Sequence, residues 1–75
     1  MYILYTSPAC PYCKKVEAFM HEQGIAYEER SIVNAEYRDE LIDKGGKMQV
    51  PFLVDTEHTV SMYESDDMIE YLKKV

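Results

Sequence analysis

The chain has 75 residues, 47% of them hydrophobic, and a formal net charge of −6 from 14 acids against 8 bases. That length predicts one domain over residues 1–75 with a thin core, the acidity disfavours nucleic acid as a partner, and no apolar run approaches the roughly 20 residues needed to span a bilayer. The start, Met1-Tyr2-Ile3-Leu4-Tyr5, lacks the basic segment and long apolar stretch of a secretory leader, so a soluble cytoplasmic protein is expected, monomeric at this size.

Tyr2 to Tyr5 is a short apolar run of β-favouring residues and predicts a buried strand. Thr6-Ser7-Pro8-Ala9 predicts a loop. Pro11 has no backbone N–H and suits the first position of a helix, which puts Cys10 at its N-cap. That helix runs to about Gln23 and stops at Gly24. Cys13, Val16 and Met20 recur at helical spacing with Phe19 beside them, so they share one buried face. Ile25 to Ile32 alternates weakly and predicts a second strand. Asn34 caps a second helix whose apolar stripe is Tyr37, Leu41 and Ile42 and whose end is Gly45-Gly46. Pro51 to Val54 predicts a strand, Asp55-Thr56-Glu57-His58 a turn, and Thr59 to Met62 a returning strand. Ser65 caps a last helix, with Asp66 and Asp67 in its first turn, Lys73 and Lys74 in its last, and Met68, Ile69 and Leu72 on its buried face. The order β-α-β-α-β-β-α makes the first two strands parallel and the last two antiparallel. One four-stranded mixed sheet with three helices on its faces satisfies it.

Cys10-Pro11-Tyr12-Cys13 carries the clearest chemistry. Two cysteines three apart close too small a loop to staple a domain by chain entropy. A sulfur at a helix N-cap meets free N–H donors and the positive end of the dipole, and Lys14 and Lys15 add charge, so the thiolate form of Cys10 is favoured. Cys13 lies one turn further in and is less exposed. The outer sulfur is therefore expected to attack a disulfide and the inner one to resolve the mixed disulfide. Half a zinc site and a pair of small buried hydrophobes are the competing readings. Zinc would need His21 and His58, which the spacing places far apart, so no metal is expected. Val50-Pro51 fits either a plain strand start or a cis-proline turn offering backbone near Cys10. Ser65-Asp66-Asp67 fits simple capping. It also fits a site where N–H groups hold a carboxylate and Asp66 pairs with an ammonium, the two groups of an amino acid.

Together the three segments resemble the glutaredoxin family, in order and over nearly the whole chain. Cys10-Pro11-Tyr12-Cys13 is similar to its dithiol motif, Val50-Pro51 to its Val-Pro turn, and Ser65-Asp66-Asp67 to its γ-glutamyl-binding segment. The resemblance implies an α/β, thioredoxin-like fold, a cis Pro51, and glutathione as reductant and co-substrate. It implies catalysis by Cys10 and Cys13 on protein disulfides and glutathionylated proteins. By position it assigns Tyr12, Val50, Pro51, Ser65 and Asp66 to the glutathione site and Lys47 to the glycine carboxylate. Two departures stand out. Gln49 replaces the Thr that many members carry, and Tyr63-Glu64 replaces their Gly-Gly pair. Glu64-Ser65 is instead similar to the N-terminal domain of glutathione transferases, which shares the fold and the ligand. The sequence ends at Val75, straight after the last helix, so no helical transferase domain is expected. Alternative functions are a disulfide donor reduced by a flavoprotein reductase, a glutathione-ligated iron–sulfur carrier, and a passive glutathione-binding module.

Overall fold

Side chains of a strand point alternately to its two faces, and β1 (Tyr2–Thr6) is buried on both from Ile3 onward. A strand of that kind has to be central and covered from both sides. The computed structural model, which describes residues 1–74, shows that arrangement. After β1 come α1 (Pro11–Glu22), β2 (Tyr27–Ser31), α2 (Ala35–Gly45), β3 (Phe52–Asp55), β4 (Val60–Met62) and α3 (Ser65–Lys74). The sheet order is β2-β1-β3-β4, with β1 and β2 parallel and the other pairs antiparallel. This is the predicted thioredoxin-like architecture.

Register sorts the core into two halves. Leu4 lies opposite Leu53, and Tyr5 opposite Phe52. Leu4 and Leu53 pack on Val16 and Met20 of α1 and on Met68 and Leu72 of α3. Ile3, Tyr5 and Phe52 pack on Leu41 of α2 across the other face. A polar tie secures α2. The Tyr5 hydroxyl and Arg30 Nη1 both donate to the Glu40 carboxylate, at 2.9 and 2.7 Å. Among the described residues no helix is long and apolar enough to cross a membrane.

Four local expectations need correction. Ile42 is 43% exposed rather than part of the buried stripe of α2, because Leu41 faces the sheet and its neighbour is turned about 100° around the helix. Asp55 is the buried last residue of β3, not a turn residue. Ile69 is only partly buried, while Met68 and Leu72 are the buried face of α3. Ser65 is inside α3 as its first residue, because the Glu64 carbonyl already accepts the Met68 N–H at 3.0 Å, which puts Glu64 at the cap. Asn34 does cap α2, accepting the Glu36 N–H at 2.9 Å.

Candidate active site

The end of β1 delivers the chain to a loop at Ser7–Ala9, and the loop delivers Cys10 to the start of α1. The Cys10 N–H donates back to the Ser7 carbonyl at 3.1 Å, which fixes the entry to the helix. Pro11 stands at the first helical position, so Cys10 is the N-cap, with φ −98° and ψ 109°. The Cys13 N–H donates to Cys10 Sγ at 3.4 Å, so the sulfur sits over the free donors and positive end of α1. Cys10 is partly exposed, whereas Cys13 is 1% exposed. Burial pushes the Cys13 thiol up to about 12, and its contact with Cys10 adds to that. One sulfur is thus presented outward and the other held protonated beneath it.

Opposite Cys10 lies the segment between α2 and β3. The Val50–Pro51 peptide bond is cis, and the Cys10 thiol donates to the Val50 carbonyl at 3.8 Å. A cleft of about 440 Å³ opens beside it, lined by Tyr12, Gln49, Val50, Pro51, Tyr63, Glu64, Ser65 and Asp66. Five of the sequence-predicted residues, Tyr12, Val50, Pro51, Ser65 and Asp66, share this one cleft. Lys47 does not line it but lies at its rim, with Nζ 4.8 Å above the Tyr63 ring. Asp66 already has a cation, because Lys15 Nζ of α1 sits 2.6 Å from its carboxylate. Both partners are exposed, so this pair is weak and open to exchange with another ammonium. The sequence reading missed Lys15 in this role, and it missed Tyr63 as a wall.

A second acidic feature lies along α1. Burial, reinforced by contact with the Glu29 carboxylate, raises Glu17 to about 7. Glu29 is lowered by hydrogen bonds from Glu17 and from Thr6 Oγ1, the latter at 3.0 Å. Because Glu17 holds its proton more tightly folded than unfolded, stability falls as pH rises from about 4.5 through 7. Glu17→Gln is expected to raise Tm by a few degrees at pH 8 and to leave it unchanged at pH 4. Thermal melts at the two values check this, and an equal shift at both would refute the protonation account. Among the described residues no group of three His, Cys, Asp or Glu could hold a metal ion.

Comparison with known proteins agrees with this geometry. Glutaredoxin 3 of Escherichia coli strain K12 is 35% identical over 57 residues, covering 73% of this chain and 69% of that protein. The chain belongs to the glutaredoxin family. This glutaredoxin-family chain also falls within the family described as glutathione S-transferase, N-terminal domain, whose model matches residues 4–74. In structure it is similar to the thioredoxin-like protein BC3987, with a TM-score of 0.84 and 27% identity over 99% of this chain and 97% of that one. It is similar also to a glutathione S-transferase of Methylobacillus flagellatus solved with glutathione bound. There the TM-score is 0.80 and the identity 26%, over 96% of this chain and 35% of that one.

Proposed function

We propose that this chain is a glutathione-dependent thiol–disulfide oxidoreductase that reduces protein disulfides and glutathione mixed disulfides through Cys10 and Cys13, working in the cytoplasm. The observation that carries this reading is the placement of Cys10 Sγ. It accepts the Cys13 N–H at the start of α1 and faces the Val50 carbonyl at the mouth of the cleft. The relatives named for glutaredoxin and the transferase solved with glutathione support the choice of thiol.

With a protein disulfide, the Cys10 thiolate attacks one sulfur, the substrate S–S bond breaks, and the departing thiolate takes up a proton. Cys13 then loses its proton and attacks Cys10 Sγ, which releases the second substrate thiol and leaves a Cys10–Cys13 disulfide. Two glutathiones restore the dithiol and leave as oxidised glutathione. With a glutathionylated protein, Cys10 takes the glutathionyl sulfur and frees the protein thiol; one further glutathione discharges it without Cys13.

The cleft suits that ligand. The free N–H groups at the start of α3 can hold the γ-glutamyl carboxylate. Its ammonium replaces Lys15 beside Asp66, and the backbone at Val50 lies open to the cysteinyl unit. The test is reduction of a glutathionylated peptide by the purified chain with glutathione as the only reductant, set against a flavoprotein thiol reductase as donor. Turnover that saturates with glutathione is expected. Turnover only with the flavoprotein would replace glutathione as the electron source, and turnover with neither would remove the enzyme reading.

A further inference from the structure

Tyr63 stands between β4 and α3, where the sequence departs from the glutaredoxin pattern. Its ring packs on the buried Phe52 with centroids 4.5 Å apart. Its hydroxyl donates to the Lys47 carbonyl at 2.8 Å and accepts the Lys47 N–H at 3.3 Å. Both backbone polar groups of one residue are therefore satisfied by one side chain. The Lys47 ammonium then folds over the face of the same ring, 4.8 Å from its centroid, where the ring's negative face attracts it. The chain also passes very close to this ring. A Cβ built on Gly45 would lie 1.8 Å from Tyr63 Oη, so the approach requires glycine there.

Gly45 to Val50 is the connection that ends α2 and brings Val50 to Cys10. Lys47 gives both of its main-chain groups to Tyr63, and its carbonyl also accepts the Gln49 N–H at 3.2 Å. Gln49 lines the cleft beside Val50 and Tyr63 forms another wall, so an extended ligand that runs from the start of α3 past Val50 would head toward the Lys47 ammonium above the Tyr63 ring. Its far end then meets a lysine whose backbone and ammonium are both held by Tyr63.

We propose that Tyr63 is a positioning residue that presents the Lys47 ammonium to the carboxylate at the far end of the thiol co-substrate, and so sets the preference for a tripeptide thiol over a shorter one. The proposal rests on the glutathione reading above. Tyr63 acts through Lys47 and touches no reacting atom.

The experiment compares glutathione with γ-glutamylcysteine, which lacks the terminal glycine and its exposed carboxylate position. KM and kcat for each thiol are measured on wild type, Tyr63→Phe, Lys47→Met and the double variant, with Tm recorded for all four. Wild type is expected to favour glutathione by about fivefold in kcat/KM, the size of one exposed ion pair. Tyr63→Phe keeps the ring on Phe52 and removes only the hydroxyl, so it is expected to remain folded. It is expected to lower the preference to about twofold, through a rise in KM for glutathione that is larger than any change on γ-glutamylcysteine. Lys47→Met is expected to lose the same preference, and the double variant no more than either alone.

Equal loss on both thiols in Tyr63→Phe would mean a merely structural role and overturn the proposal. So would an unchanged preference, or additive losses in the double variant. A wild type that uses both thiols equally well would overturn the Tyr63 role and leave glutathione dependence standing. A wild type that uses neither would overturn both. Gly45→Ala is an independent check with Tyr63 intact. It is expected to displace the ring and to lower the preference as Tyr63→Phe does.

Discussion

Cys10→Ser is expected to lower reduction of a glutathionylated peptide by roughly a thousandfold or more, because an alcohol supplies no comparable nucleophile at neutral pH. Cys13→Ser is expected to keep most of that activity, since transfer of one glutathionyl group uses one sulfur. It should lose reduction of protein disulfides that need a resolving attack. The burial difference sharpens the contrast. With burial pushing the Cys13 thiol up to about 12, its thiolate is scarce at pH 7. Brief alkylation of the reduced protein at pH 7 followed by peptide mass measurement should therefore label Cys10 and spare Cys13. Labelling of Cys13 first, or full activity in Cys10→Ser, would reverse the roles and remove the basis for the mechanism.

The placement of the two sulfurs, one at the cap and one buried, was legible because everything that sets it is local. Pro11 fixes where α1 begins, the N-cap follows from that, and spacing of three turns Cys13 inward. The element order was legible for the same reason, since strand alternation, Gly24 and Asn34 each act within a few residues. What escaped the sequence depends on partners far along the chain. Asp55 looked like a turn residue until Tyr71, sixteen residues on, supplied the hydroxyl that makes a buried carboxylate tolerable. Lys15 and Asp66 are 51 residues apart and meet only because α1 and α3 share one face of the sheet. Local pattern also left Val50-Pro51 open between a strand start and a cis turn; only the family resemblance favoured cis, which is the form present. Tyr63 was legible as a departure from a pattern, but its grip on Lys47 was not. Ile42 failed for the opposite, local reason, because it lies about 100° around α2 from Leu41, the residue turned to the sheet.

Asp55 is where a single substitution is expected to cost most stability without touching the cleft. Its carboxylate is 2% exposed and accepts from Tyr71 Oη at 2.6 Å, His58 at 2.8 Å and the Glu57 N–H at 3.0 Å. Tyr71 comes from α3 and the other two from the turn between β3 and β4, so one carboxylate joins the hairpin to the last helix. The Tyr71 hydroxyl, then His58 and the Glu57 amide, hold the acid at about 2, below its ordinary 3.8. The same bond raises the Tyr71 phenol to about 12. Since the folded chain binds this proton less readily than the unfolded one, the stabilisation is complete above about pH 4 and disappears as pH falls to 2. Asp55→Ala is expected to lower Tm by more than about 5 °C at pH 7, because it strands a partly buried hydroxyl and an amide. Asp55→Asn, which retains an acceptor, should fall between it and wild type. The gap between wild type and Asp55→Asn should close as melts are repeated from pH 5 down to pH 2. A gap that stayed constant over that range would place the stabilisation in shape rather than charge. The start of α3 is one wall of the cleft, so loosening its far end should also raise KM for glutathione while leaving the rate of Cys10 alkylation unchanged. Under the proposed function, stability and ligand grip are joined through one helix, anchored at Asp55 and lining the cleft with Ser65 and Asp66.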